Sequence, residues 1–419
     1  MKKVLLLLAV LFSCMVPRYY LLPYTGVYIF HMRTSAFFYI LIASIAYSVY
    51  VRNVKVTKRQ LEDIGVFLLW LFVAIVLMTK SEDTANSICE VYYLLLGLLS
   101  VTAMNLLIRD MDSIRVCFAA ILCGLLIHLA IGYYEVITKT HFFAVGINDT
   151  IRPGKPVSIF YNNNDFGTFC AVMIPLAMGY INMGKTSIVS KVLSVLLLLM
   201  GSVIILYAQS DTIQVAVALV GFGMIAVKLS EKLNKGLRTL IVVGTVLLAG
   251  VLSFATSDLI SNLISQFLFS EQARLNLIKN GFVFLRESRG MGIGYGNTQY
   301  YLQFKSVYNV FNIFYFHNWY FEILFCGGVI AFLLYLCFHF GIIIRLFRMS
   351  KKSKDANCRR YDYLNVRIYV LVSFLVFSAV CISSSSNLYS EWMWMYYGLI
   401  SAYVNLLCRK GDKEASKHE

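Results

Sequence analysis

Charge is what this sequence has least of. Asp, Glu, Lys and Arg make up only 14% of its 419 residues, against 59% hydrophobic residues. A soluble domain carries roughly 25% charged and about 45–50% apolar residues. The water-facing surface of a soluble chain this long cannot be assembled from so few charges, so a bilayer must supply the missing apolar solvent. In lipid, only helices and closed barrels satisfy every backbone N–H and C=O group. The apolar runs here are long and continuous instead of alternating with polar residues, which excludes the barrel. The expected fold class is therefore all-α, a polytopic membrane protein with about a dozen spans of about 20 residues each.

Other absences narrow the chemistry. The ten cysteines include no CxxC pair, so neither a zinc site nor a disulfide framework is indicated. Most, such as Cys117, Cys123 and Cys170, fall in apolar runs and read as small buried hydrophobes. No HxxxH occurs, and no histidine of the apolar runs has a carboxylate three or four residues away, so no metal and no cofactor is expected. No internal repeat is found, which speaks against a transporter of two related halves. The net charge of +15 has no soluble domain to sit on, so nucleic acid is not an expected partner.

Spans are read near 4–17, 34–51, 62–79, 84–108, 114–137, 159–181, 188–208, 212–229, 237–256, 317–344, 366–384 and 391–408, within one membrane domain covering 1–419. Lys2-Lys3 followed by Val4–Val16 resembles a signal peptide, and is read as an uncleaved first span. Most of the 37 basic residues fall on alternate connections that include both termini. The positive-inside rule then puts both ends in the cytoplasm.

The connection 257–316 is expected outside, and it is far longer than the roughly 2–8 residues that join helices in a bundle. Leu259/Ile260, Leu263/Ile264 and Phe267/Leu268 recur every four residues, which makes an apolar helical stripe. Leu275, Ile278, Phe282 and Leu285 continue it, as in a helix lying in the membrane interface or capping a bundle. Arg289-Gly290-Met291-Gly292-Ile293-Gly294-Tyr295-Gly296 cannot be helical. Its glycines are expected to make tight turns with exposed N–H groups. The spacing is not that of a dinucleotide fingerprint.

Ionisable groups at the outer span boundaries are the candidate site, because charge near hydrocarbon is costly and marks function. They are Arg152, Asp165, Arg274, Arg286, Arg289, His317 and Glu322. Asp165 sits in Asn162-Asn163-Asn164-Asp165 at a span start, where it could be a helix cap or bind sugar hydroxyls. Asn318 and Glu322 are four apart and share a helix face. The arginines can present forked donors to phosphate, forming a cationic mouth suited to a lipid diphosphate.

These residues resemble a known family. Arg152-x-Gly154 followed by Phe160-Tyr161-Asn162-Asn163-Asn164-Asp165 is similar to the "R-x-x-G-x-F-x-N-P-N" stretch of the O-antigen ligase and Wzy-type polysaccharide polymerase superfamily. The run Arg289–Asn297 resembles its "GxGxGN" signature. His317-Asn318-Trp319-Tyr320-Phe321-Glu322, with Gly327-Gly328 beyond, resembles its "HN-x-(Y/F)-L-(E/Q)…G" signature. Arg274 stands where the family has an arginine before the glycine run. Two departures are Asn163 in place of a proline, and Ser210-Asp211-Thr212 where a Ser-Arg pair is usual.

The resemblance implies a metal-independent membrane glycosyltransferase of the outer face, acting in capsule, exopolysaccharide or O-antigen-type biosynthesis. Its donor would be an undecaprenyl-diphosphate-linked oligosaccharide and its acceptor a glycan hydroxyl. A flippase and a chain-length regulator are candidate partners beside the lipid bilayer. His317, Arg152 and Arg274 would be catalytic. Asn164, Asp165, Arg289, Asn318 and Glu322 would bind substrate. A repeat-unit polymerase is the first reading and a ligase moving glycan to another acceptor is the second. A transporter of lipid-linked oligosaccharide is the alternative from another class.

Overall fold

The computed structural model describes residues 1–15, 28–29, 32–33, 35–142, 154–160, 162–183, 187–208, 213, 265–348, 359–381 and 387–415. The expected spans 212–229 and 237–256 lie outside the described residues. Apart from a two-residue antiparallel pair, β1 (Tyr28–Ile29) with β2 (Met32–Arg33), the described elements are helical.

In chain order the helices are α1 (Lys2–Met15), α2 (Ala36–Ala46, extended by a π turn Tyr47–Val51), α3 (Lys58–Met78), α4 (Thr84–Leu107), α5 (Met111–Thr138), α6 (Asn163–Ile181) and α7 (Ile188–Ala208). After them come α8 (Ser265–Glu287), α9 (Thr298–Phe304), α10 (Trp319–Arg348), α11 (Arg359–Val380) and α12 (Glu391–Ala415). Five of these, α3, α4, α5, α7 and α10, are long and apolar enough to cross a bilayer.

Local sequence explains where the helices start. Ser35, Asp83, Asp110 and Asn162 each accept a hydrogen bond from a backbone N–H three residues on, which satisfies one of the orphan donors of a helix start. Thr57 and Gln60 form a capping box for α3. Asn318 does the same work for α10, accepting from Tyr320 N (3.1 Å) and Phe321 N (3.2 Å).

Packing follows small residues and aromatics. A Cβ on Gly97 of α4 would lie 2.6 Å from the Trp394 ring of α12, and one on Gly398 would lie 2.5 Å from Ser100 O. Glycine thus lets these two backbones approach closely, the usual device where no water drives helices together. Trp70, Trp319 and Trp394 meet with centroids 5.9–6.3 Å apart in the buried centre.

The two ends of the bundle differ in chemistry. At one end, Asp63 of α3 pairs with Arg345 of α10 at 2.9 Å. Ser401 and Asn405 of α12 also donate to Asp63 (2.7 and 2.8 Å), and Asn405 donates to Asn105 of α4 (3.0 Å). Lys2 reaches Asp110 there at 2.6 Å. We call this the basic end, since Lys2, Arg109 and Arg345 gather at it. The opposite, loop end holds the α3–α4 turn, the glycine run, and the starts of α6, α10 and α12.

The stripe Leu275, Ile278, Phe282, Leu285 divides: Leu275 and Phe282 are exposed, while Ile278 and Leu285 pack against the buried core. The fully buried face of α8 lies beside it, with Ala273, Leu277 and Phe284 together with Asn276 and Asn280. One sequence expectation fails at the loop end: the glycine-run N–H groups are not exposed. Gly292 N donates to Ser288 Oγ (3.0 Å), Ile293 N to Phe325 O (2.9 Å), Gly294 N to Cys326 O (2.9 Å) and Gly296 N to Glu90 Oε2 (2.6 Å).

Breaking the Asp63–Arg345 pair from one side leaves a buried carboxylate uncompensated, a change worth about 3 kcal/mol. Arg345→Met should therefore lower the thermal unfolding midpoint of the detergent-solubilised protein, and adding Asp63→Asn should recover part of the loss.

Candidate catalytic site

The glycine run gains its shape from a break in α10. Gly328 has φ 73° inside that helix, so the carbonyls of Phe325 and Cys326 are released from the helical ladder. Ile293 N and Gly294 N take them up, and Val329 N donates in return to Gly290 O (2.9 Å). At Gly328 a Cβ would collide with the Met291 backbone, and at Gly296 (φ 85°) it would collide with the backbone of Asn86 and Ser87. Only glycine tolerates both the conformation and the approach.

From the other side, the α3–α4 turn closes on the run. Asn297 Oδ1 accepts from Ser81 Oγ (2.8 Å), Glu82 N (3.2 Å) and Asp83 N (3.1 Å), and its Nδ2 donates to Ile293 O (2.7 Å). Glu90 takes Gly296 N and the Tyr389 hydroxyl, each at 2.6 Å. Trp70 Nε1 donates to Tyr295 Oη at 2.7 Å. The run is a rigid seam between α8 and α10.

Beyond α9 the chain returns along α8 as a strap, 305–318. Asn280 of α8 holds it with three bonds, accepting from Val307 N and Tyr308 N (both 2.9 Å) and donating to Tyr308 O (2.8 Å). Asn276, one turn earlier, donates to Asn309 O (2.8 Å). Phe311, Asn312 and His317 have left-handed backbone (φ 51°, 62° and 49°). Such conformations cost roughly 1–3 kcal/mol outside glycine and persist where surrounding structure fixes them. Trp319 N then bonds to Cys381 O at 3.0 Å, which ties the end of the strap to the end of α11.

This route brings His317 back to Arg274 of α8. Burial, and then the positive charge of Arg274, hold the His317 imidazole down at about 4. His317 is thus neutral at neutral pH, within the electrostatic reach of the Arg274 guanidinium. Of the residues singled out from sequence, these two are brought together.

The others are placed as follows. Glu322 is buried (7% exposed) one turn into α10. The Asn318 side chain is engaged as the α10 cap. Arg289 is exposed where α8 ends, about 20 Å along the helix axis from Arg274 at 1.5 Å per residue, so it is not part of the same pocket. Asn162 Nδ2 donates to Asp165 Oδ2 (2.9 Å), and Asn163 Nδ2 donates to Asn164 Oδ1 (3.4 Å) and Ala208 O (2.5 Å). That start of α6 shares the loop end with His317, since α6 packs along α11 and Ser373 of α11 donates to Val172 O (2.8 Å). Arg152 lies outside the described residues. Among the described residues, no group of three or more His, Cys, Asp or Glu could hold a metal ion.

Sequence reading missed Asn276, Asn280 and Glu90, and gave Asn297 no role beyond the motif it closes. Glu90 was findable, as an isolated carboxylate in the apolar run 84–108. Asn276 and Asn280 are four apart, but an amide on an amphipathic helix carries no sign of which way it faces.

Comparison with known proteins agrees with the motifs. A family model described as O-antigen ligase matches residues 194–336, a stretch that includes Arg274, the glycine run, His317 and Glu322. The chain is 28% identical over 360 residues to the teichuronic acid biosynthesis protein TuaE of Bacillus subtilis (strain 168), over 82% of this chain and 71% of that protein. Both findings support the resemblance to the O-antigen ligase and Wzy-type superfamily.

Two expectations follow from the geometry. In a nitrogen-detected NMR titration of the solubilised protein, His317 should protonate near pH 4, below the ordinary value of about 6.5. Arg274→Gln removes a charge that opposes protonation, so the titration should move upward while burial keeps it below 6.5. Separately, Gly296→Ala should open the seam, and limited proteolysis should then cut between α8 and α9, where the parent protein resists.

Proposed function

We propose that the protein is a membrane glycosyltransferase that moves an oligosaccharide from a lipid diphosphate to the hydroxyl of an acceptor glycan, acting as a repeat-unit polymerase. The reading is supported most directly by a buried, neutral imidazole within the electrostatic reach of an exposed guanidinium, at the end of the bundle opposite the basic end. The family match carries the substrate class. Under the positive-inside reading the site faces outward from a bacterial plasma membrane and both termini are cytoplasmic.

The chemistry needs little else. The acceptor oxygen attacks the anomeric carbon, the bond from that carbon to the diphosphate oxygen breaks, and undecaprenyl diphosphate leaves. The diphosphate already activates the sugar, so neither nucleotide nor metal is required. Arg274, with Arg152, would stabilise charge on the departing diphosphate. Removing one preorganised donor of this kind costs about 3–4 kcal/mol. His317 would take the proton from the acceptor hydroxyl. Asn164 and Glu322 would orient sugars.

A base held down at about 4 is weak in the empty site. Donor binding corrects this. A diphosphate resting on Arg274 offsets the charge that suppresses protonation of His317, so the imidazole gains basicity when the substrate is present. The acid limb of kcat should then lie at higher pH than that of kcat/KM, since the first reports the loaded enzyme and the second the free one.

In cells, His317→Ala, Arg274→Ala and Arg152→Ala should each abolish polymer at unchanged protein level, with single repeat units accumulating on the lipid carrier. Full-length polymer from all three variants would overturn the site. A deletion strain separates polymerase from ligase: lone repeat units indicate a polymerase, and long unattached chains indicate transfer of finished glycan to another acceptor.

A further inference from the structure

We infer that the strap along α8 is the docking track for the acceptor glycan, a row of exposed rings that delivers its hydroxyl end to His317. The inference rests on the transferase reading and adds the acceptor subsite to it.

The strap exposes more apolar surface than a connection requires. On the strap Val307 is 67% exposed, Tyr308 40% and Tyr315 39%, and Phe304, the last residue of α9, is 66% exposed. Yet the strap is held firmly, with four hydrogen bonds from Asn276 and Asn280 fixing its backbone at 307–309. Rings fixed in place and left uncovered are the signature of a recognition surface, because Tyr and Phe offer large contact area with few torsions to freeze. Pyranose rings present a flat face of C–H groups to such side chains and direct their hydroxyls to the rim.

Cations frame the rings. Lys305 Nζ lies 4.3 and 5.2 Å from the centroids of Tyr301 and Tyr300, and Lys279 Nζ lies 5.4 Å from that of Tyr308. Tyr300 and Phe304 lie ahead of the strap with ring centroids 5.2 Å apart and planes tilted by 53°. The ammonium of Lys305 is paired with Glu82 at 2.9 Å, whereas Lys279 stands on the exposed face of α8. A glycan carrying carboxylate or phosphate groups would meet that charge.

The row also leads to the site. The chain passes Asn280, then Asn276, then Arg274, covering about 9 Å of helix at 1.5 Å per residue. Tyr315 closes it, with its ring centroid 6.5 Å from that of His317. The alternative occupant of exposed aromatics at a membrane boundary is the bilayer interface itself. Continuity with His317 favours the glycan.

The test uses the full chain in nanodiscs. The probe is the oligosaccharide fraction from mild acid hydrolysis of the polymer made by cells carrying the parent protein. Saturation-transfer NMR should show contact between the sugar protons and the parent protein. Phe304→Ala with Tyr308→Ala should weaken binding at least tenfold, while Tyr308→Phe, which keeps the ring, should stay within twofold. His317→Ala should fail to transfer the oligosaccharide. Unchanged binding by the double variant, or no contact in the parent, overturns the track. So does quenching of a Tyr308→Trp variant by brominated lipid, which would place the ring in the bilayer. Normal transfer by His317→Ala would instead sink the transferase site and leave the binding result standing.

Discussion

The break in α10 at Gly328 is the constraint from which the loop end follows. A helix interrupted inside a membrane protein frees carbonyls that no water can satisfy, so another backbone must take them. The glycine run does so at Phe325 and Cys326, and returns a carbonyl from Gly290 to Val329. That exchange fixes the angle at which α8 departs from α10. Asn297 and Glu90 then bind the same run to the α3–α4 turn and to Tyr389. With both neighbours of the seam fixed, the strap has one route home, along α8, and His317 arrives at Arg274.

This arrangement separates structure from chemistry by charge. Many of the holding contacts at the loop end come from neutral amides and backbone groups: Asn276, Asn280, Asn297, Asn318. An amide can satisfy several backbone groups at once without the desolvation cost of burying an ion. Arg274 is not used in this way and is exposed, so its charge remains available to an anion. At the basic end the reverse holds. There Asp63 and Arg345 neutralise each other among Ser401 and Asn405, a closed network with no charge left over for a substrate.

Much of this was legible in the sequence. Scarcity of charge and long apolar runs gave the helical membrane class, whereas the cap read at Asp165 is Asn162, whose side chain accepts from Asp165 N. Arg274 and His317 were singled out together from motifs 43 residues apart in numbering, and the structure brings them near enough for the charge of one to act on the other. The inward face of α8 was not legible, because its buried stripe contains Asn276 and Asn280, and periodicity scores those as solvent-facing. Nor was the fate of the glycine N–H groups. Their partners lie in α4 and α10, and a partner set by tertiary contact leaves no local trace.

The left-handed backbone at His317 shows why the site needs so much scaffolding. Histidine adopts that conformation only at some cost, and a relaxed strap would swing the imidazole away from Arg274. The bonds on either side prevent this: Asn276 and Asn280 upstream, and the Trp319–Cys381 bond downstream. Strain held in this way favours one orientation of the ring before substrate arrives. A transferase that must align an acceptor oxygen, an anomeric carbon and a leaving diphosphate gains most from such preorganisation, since effective molarity falls steeply with loss of alignment. The same bonds keep the rings of Tyr308 and Tyr315 in register with His317, so a glycan seated on them would enter the site with its orientation already set.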